Sequence, residues 1–174
     1  CSSDLNKPPA RHRDLHRDPM PTATVAQACT STYVSQPDAT AGVDMYISSG
    51  NPTTTHETDA TLRIGEDNTA VDYYRRGLVR FDLSGIPSNA TICSATLSLF
   101  VSSSSGATND RIVRVYRMKA AWSEQTGTWN IASTGVNWQI AGASGASDRE
   151  SADIGSLLVP ANAAGGSEQK WVLD

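Results

Sequence analysis

Two segments of alternating apolar and polar residues constrain the fold of this chain more than any other stretch. In GLVRFDL, the apolar residues Val79, Phe81 and Leu83 alternate with Arg80 and Asp82. In ATLSLFV, the same alternation places apolar side chains at Ala95, Leu97, Leu99 and Val101. The SGIPSNA connection between them is rich in residues that favour turns. Because a period of two is typical of strands that bury one face, the sequence predicts two β-strands joined by a polar turn.

Shorter runs of the same kind fill the rest of the chain from residue 25 onward. The further predicted strands are TYV, DMYISS, ATLRIG, RIVRVYRM, SLLVP and QKWVLD. Met45 and Ile47 form the predicted buried face of DMYISS, and Trp171 and Leu173 form that of QKWVLD. Turn-forming clusters separate the runs, and no amphipathic helix of three turns is visible. We therefore expect an all-β fold, a jelly-roll-like antiparallel β-sandwich.

The first 24 residues differ in composition from the rest. They contain four prolines, mixed charges and few apolar side chains, so burial cannot offset the entropy cost of ordering them. Residues 1–24 are predicted to be an extended tether, and residues 25–174 the sandwich. The net charge of -4 argues against nucleic acid as a partner. No run approaches the roughly 20 apolar residues of a membrane helix.

The three cysteines fall into two groups. Cys1 precedes a polar, proline-containing segment, as in a mature bacterial lipoprotein whose terminal cysteine is acylated. The alternative is a fragment that happens to start at this residue. Cys29 and Cys93 are left as a pair, which predicts either a disulfide in an oxidising compartment or two buried free thiols.

Several phrases occur in a fixed order along the chain. They are DMYISSGNPTT, TLRIGEDN, RRGLVRFDLSGIPSNATICSATLSLFV, RVYRMKAAWSEQTGTWN and STGVNWQIAG. From Ser35 to Asp174 the chain resembles the DNRLRE-type domain, whose relatives include a polysaccharide-binding module of the alginate-binding class. The resemblance implies a jelly-roll β-sandwich found in secreted and surface proteins, often beside glycan-degrading domains and sometimes with bound calcium.

The sequence departs from that family at its carboxyl end. Domains of the family continue past the WVLD-like strand with a glycine-rich turn and a closing strand, which are absent here. Either the chain is a fragment, or its carboxyl-terminal part is unresolved, or another molecule supplies the missing strands. An open sandwich would expose unpaired backbone groups suited to strand addition. In the third case the chain would be a subunit of a surface assembly.

The candidate ligand-binding residues are aromatic and basic. Aromatic rings stack on sugars, and guanidinium groups bind carboxylates in a bidentate manner. The candidates are Tyr73, Tyr74, Arg75, Arg76 and Trp138. For the YYRR group the alternative is a solvated loop that enters a strand. Trp122 and Trp129 are predicted to be core residues, because paired large aromatics of this kind are more often buried.

Oxygen-bearing side chains near two loops form a candidate calcium site. Calcium requires six to eight oxygen ligands close in space. The candidates are Asp38, Asp44, Glu66, Asp67 and Asn68. The alternative is a hydrated acidic turn.

No motif for catalysis is present, so an enzyme is not predicted. The chain has no phosphate-binding glycine loop, no HExxH and no GxSxG. Two function classes follow. The first is a non-catalytic structural or adhesive domain at a bacterial cell surface, lipid-anchored through Cys1 and assembled with other protein chains. The second is a carbohydrate-binding module for an acidic polysaccharide.

Overall fold

The computed structural model describes residues 29–36, 42–66, 73–102 and 109–174. The chain divides into two compact units, Cys1–Thr30 and Ser31–Asp174, and every strand belongs to the second. The strands are β1 (Gly42–Ser48), β2 (Gly65–Glu66), β3 (Tyr74–Phe81), β4 (Ala95–Phe100), β5 (Arg111–Val115), β6 (Ile131–Ser133), β7 (Val136–Asn137), β8 (Gly155–Val159) and β9 (Glu168–Leu173). The described ranges contain no helix, and therefore none that could cross a membrane. The all-β fold predicted from the sequence is confirmed.

All strand pairs in the described part are antiparallel. The strand order of the largest sheet is β1-β3-β2, and β4 pairs with β9, β5 with β8 and β6 with β7. The two central predicted strands, β3 and β4, therefore lie in different sheets. The segment between them makes two short turns, in which Ile86 N donates to Leu83 O and Ala90 N to Pro87 O.

The best-packed core lies on one face of β1 and β3. Met45 pairs with Leu78 in the register, and Ile47 pairs with Arg76. Residues from the segments that follow β5 pack against this face. The buried cluster consists of Met45, Ile47, Leu78, Trp122, Ala132, Trp138 and Ala143. The predicted core positions of Met45 and Ile47 are thus confirmed, as is the structural role of Trp122, while Trp129 packs half-buried at the edge of the cluster.

The opposite face of β1 is buried as well. Tyr46 and Ser48 point to this side and are both buried. The ring of His56 stacks on Tyr46 with centroids 4.0 Å apart. On β3, Gly77 leaves room for Leu62, since an added Cβ would lie 2.9 Å from that side chain. The segment between β1 and β2 therefore covers this face of the sheet, and β1 has two buried faces where alternation predicted one.

The predicted inward face of β3 is only partly correct, because Val79 and Phe81 are half-buried but the most buried residue lies on the other face. Leu78 is the buried residue of this strand, and it shares its face with Arg76 and Arg80. Leu83 lies beyond the end of the strand and is 55% exposed. The prediction missed this second face because the two arginines on it lie over tryptophan rings, with guanidinium carbons 4.9 and 5.3 Å from the ring centroids. Charged side chains thus occupy positions of the strand that face the core. A prediction from the hydrophobic pattern places such side chains in solvent.

The predictions for β4 and β9 are confirmed. Leu97 pairs with Trp171, and both are buried, while Phe100 and Val172 point outward. The indole N–H of Trp171 donates to Val113 O on β5 at 3.1 Å. The predicted strand TYV is absent, because residues 31–36 have no strand structure.

Cys29 and Cys93 are both disulfide-bonded. The chain has three cysteines, so two bonded ones can only be bonded to each other. The predicted disulfide is confirmed. Cys1 lies outside the described residues.

Candidate functional site

Strand alternation divides the YYRR group between two faces. Tyr74 and Arg76 are two residues apart on β3 and therefore share a face, which is the one that packs against the core. Tyr73 and Arg75 belong to the other face. The group predicted as one ligand-binding cluster is thus two pairs that point in opposite directions.

Arg76 is held at the edge of the core by an aromatic ring and a carbonyl. Its guanidinium carbon lies 4.9 Å from the centroid of the Trp129 ring. One of its terminal nitrogens donates to the backbone oxygen of Gly142. Gly142 N in turn donates to Trp129 O at 2.6 Å. These contacts fix the plane of the guanidinium and leave its other N–H groups for a ligand.

A second arginine acts electrostatically on the first. The guanidinium carbon of Arg149 is 3.7 Å from the centroid of the Tyr116 ring, and one nitrogen donates to Glu150 O at 3.1 Å. Burial lowers the pKa of Arg76, and the positive charge of Arg149 lowers it further. An arginine remains charged in spite of such shifts. Arg76 and Arg149 are both half-buried, and the positive charge of each is felt by the other.

Neither arginine has a carboxylate partner within the described ranges. The ion pairs found there are His56–Asp59, Arg114–Asp153, Arg117–Glu150 and Lys170–Glu168. Adjacent cations without a counter-ion repel each other, and an anionic ligand would remove that repulsion. Tyr74, Arg76, Tyr116, Trp129 and Arg149 together form what we call the Arg76–Arg149 surface.

A buried carboxylate fixes the loop that supplies the Gly142 carbonyl. Asp148 accepts hydrogen bonds from the backbone N–H groups of Gln139, Ile140 and Gly145 at 2.8 to 3.1 Å. Burial alone would raise the pKa of Asp148, but these three bonds outweigh burial and lower it. The carboxylate that precedes Arg149 is therefore committed to the backbone, and the one that follows it, on Glu150, is paired with Arg117.

The same loop contains two consecutive residues in the left-handed region. Gly142 has φ 81° and Ala143 has φ 57°. An alanine with positive φ is strained, and it is stabilised here by burial in the core. An added Cβ on Gly142 would lie 2.6 Å from the Trp129 ring and 2.9 Å from the Arg76 guanidinium. Only glycine allows the loop to approach both groups.

Trp138, a candidate from the sequence, lies in the core. It is 4% exposed, and its indole N–H donates to Thr128 O at 2.9 Å. No ring face is available for a sugar, so we leave Trp138 out of the surface. Sequence reasoning missed Tyr116 and Arg149, since they lie far from Arg76 in the chain and no local motif marks them.

The predicted calcium ligands do not converge in the part of the chain that is described. Asp38, Asp67 and Asn68 lie outside it. Asp44 pairs with Val79 and Glu66 with Tyr74, which puts the two carboxylates five residues apart along β3, about 17 Å. One ion cannot bind both. Among the described residues, no group of three His, Cys, Asp or Glu side chains is placed to hold a metal.

Comparison with known families assigns the chain. The model of carbohydrate-binding module family 96 matches residues 35–147. The chain belongs to this family. No curated protein and no solved structure matches it significantly. The family 96 match includes Tyr74, Arg76, Tyr116 and Trp129, and it ends two residues before Arg149.

Proposed function

We propose that this family 96 module binds an acidic polysaccharide through the Arg76–Arg149 surface. The observation that carries the proposal is that Arg76 and Arg149, each held against an aromatic ring, have no carboxylate partner among the described residues. A carboxylate of a uronate residue would accept bidentate hydrogen bonds from such a group. The family supplies the ligand class, and the two charges supply the preference for an anionic member of that class.

The aromatic residues complete the surface. Trp129 and Tyr116 each cover one face of a guanidinium, so the ligand approaches the free N–H edges. Tyr74 is 39% exposed on the same side of β3 and offers a ring for stacking on a sugar. All of these groups are on strands or tightly bonded loops, which lowers the entropy cost of binding.

The role proposed is non-catalytic, and the setting is extracellular. Binding modules of this kind act as attachment sites for polysaccharide. The acylation of Cys1 and assembly with other chains stay predictions. Mass spectrometry of the native protein tests the first, and a large ordered particle in electron microscopy would support the second.

The test compares three uronate-containing polysaccharides with two neutral polysaccharides in affinity gel electrophoresis. Alginate, polygalacturonate and hyaluronate are the anionic probes, and arabinoxylan and hydroxyethylcellulose are neutral. We expect retardation by at least one anionic polymer, and a loss of about tenfold in affinity for Arg76→Gln and for Arg149→Gln. Arg114→Gln is the matched control, because Arg114 is already paired with Asp153. Equal retardation by neutral and anionic polymers, or unchanged binding in both variants, would refute the proposal.

A further inference from the structure

We propose that the acidic polysaccharide bound at the Arg76–Arg149 surface extends along β3 and places a second carboxylate on Arg80. The site would then span several sugar residues, and the module would recognise a run of uronates in preference to a single acidic sugar. This inference rests on the proposed function, since it takes the ligand class and one end of the site from the Arg76–Arg149 surface.

Arg76 and Arg80 lie on one face of β3, because side chains four residues apart on a strand point to the same side. Leu78, between them, belongs to the buried core, so the two arginines flank the core along the strand. Four residues of a strand span about 13 Å, which is longer than one sugar ring. We therefore expect different sugars of one polysaccharide chain to contact the two arginines.

The setting of Arg80 repeats that of Arg76. The guanidinium carbon of Arg80 lies 5.3 Å from the centroid of the Trp122 ring, as that of Arg76 lies 4.9 Å from the centroid of Trp129. Arg80 is exposed, whereas Trp122 is buried beneath it. The ring therefore supports the guanidinium from the protein side. The N–H groups of Arg80 can donate to a carboxylate of the ligand in the bidentate manner.

The acidic side chains closest in sequence or register to this position do not pair with Arg80. Glu124 follows Trp122 by two residues, and its carboxylate accepts a hydrogen bond from Asp44 N at 3.1 Å. Asp44 itself pairs with Val79 in the register, so its side chain leaves the sheet on the side opposite to Arg80. The ion pairs of the described residues do not include Arg80.

The two supporting rings belong to one tightly packed segment, which begins at Trp122 and ends at Trp129. Gly127 N donates to Ser123 O at 2.8 Å within this segment. An added Cβ on Gly127 would lie 2.6 Å from Ser123 O and 3.2 Å from the sulfur of Met45 in the core. The spacing of the two guanidinium groups is therefore set before a ligand binds, which lowers the entropy cost of binding.

The experiment measures how affinity depends on ligand length. The probes are a disaccharide and a hexasaccharide of whichever uronate-containing polysaccharide the wild-type chain binds most tightly, titrated into the full chain by isothermal calorimetry. We expect Arg80→Gln to lower the affinity for the hexasaccharide about fivefold, the upper end for an exposed ion pair. The ratio of hexasaccharide to disaccharide affinity should fall with it. Arg80→Lys keeps the positive charge and should lose less than Arg80→Gln.

The outcomes separate this inference from the proposed function. Equal affinity of the wild type and Arg80→Gln for the hexasaccharide would overturn the extension to Arg80 and leave the proposed function in place. An equal proportional loss for both probes would also overturn it, because Arg80 would then act on the Arg76 end of the site. Absence of binding to all three uronate-containing polysaccharides would overturn both. Arg114→Gln again serves as the control.

Discussion

The Tyr46 hydroxyl donates a 2.5 Å hydrogen bond to Asp59 Oδ2 and thereby joins β1 to the segment that covers it. His56 Nδ1 lies 3.2 Å from the same oxygen. Burial, followed by the bond to Asp59, raises the pKa of Tyr46 to about 12. The bond from Tyr46 is the main cause that lowers the pKa of Asp59. The pair therefore stays a neutral phenol and a carboxylate over most of the pH range.

Replacing Tyr46 by Phe should reduce stability near neutral pH by about 1 kcal/mol, the net value of one hydrogen bond. It should also change how stability depends on pH under alkaline conditions. Because the pKa of Tyr46 is higher in the folded chain than in the unfolded chain, this group's contribution to stability declines as the pH rises from about 10 to about 12. Urea unfolding at several pH values measures both effects. An alkaline decline equally steep in Tyr46→Phe would contradict the assignment.

Ser48 presents the opposite case, a buried hydroxyl without a partner among the described residues. Removing it in Ser48→Ala should leave stability unchanged or raise it by roughly 1 kcal/mol, because the hydroxyl was desolvated without compensation. Thr128→Val is the matched contrast. The Thr128 hydroxyl accepts from Asn130 N and Ile131 N at 3.2 and 3.3 Å, so its loss should cost roughly 1–3 kcal/mol. Thermal melts that rank the two variants the other way would show this account to be mistaken.

The disulfide between Cys29 and Cys93 should contribute on the order of 4 kcal/mol, since it closes a long loop in the unfolded chain. We expect reduction with dithiothreitol, or replacement of both cysteines by serine, to lower the midpoint of thermal unfolding by several degrees. Cys1→Ser is the control and should melt like the wild type. Identical midpoints with and without reductant would argue against the bond.

A substitution at Trp138 tests whether this residue belongs to the core or to the ligand-binding surface. In Trp138→Phe, the chain loses the 2.9 Å bond to Thr128 O and part of a buried ring, so we expect a loss of roughly 1–3 kcal/mol in stability. Affinity for the polyuronate should not change. A variant with wild-type stability but weaker binding would return Trp138 to the list of ligand-binding residues.

The dependence of affinity on salt concentration distinguishes binding through charge from binding through ring stacking. Raising the ionic strength from about 0.05 to about 0.5 M shortens the screening length severalfold, so binding at the Arg76–Arg149 surface should weaken. The slope of log affinity against log salt concentration should be smaller for Arg149→Gln than for the wild type. A salt-independent affinity would mean that the guanidinium groups do not contact the anionic groups of the polymer.

Alternation predicted the strands that have one buried face and one solvated face. Leu97, Trp171 and Leu173 were placed in this way, and their outward neighbours Phe100 and Val172 are exposed. It was incomplete for β3, because residues from elsewhere in the chain cover both faces and the pattern predicted only the face of Val79 and Phe81. A local pattern records which side chains are apolar, but it does not record that an arginine will lie flat on a tryptophan.

The candidate site was predictable only in part. Tyr74 and Arg76 stood out as an aromatic and basic cluster, whereas Tyr116 and Arg149 reach Arg76 through tertiary packing. The position of Arg149 depends on the hydrogen bonds that Asp148 accepts from the loop backbone. It also depends on the left-handed backbone conformations of Gly142 and Ala143. Neither feature has a signature that a single sequence reveals.

The pairing of β4 with β9 determines when this module can finish folding. Leu97 meets its partner Trp171 only after about seventy further residues have been added, and such long-range strand pairs form slowly. During synthesis on the ribosome, all three strands of the sheet that contains β1 and β3 are made before β4. By contrast, β4 emerges long before its partner β9, so both of its edges are open. Nascent chains arrested before Glu168 would therefore expose a strand to which chaperones can bind, and this sheet can close only after the whole chain has been delivered.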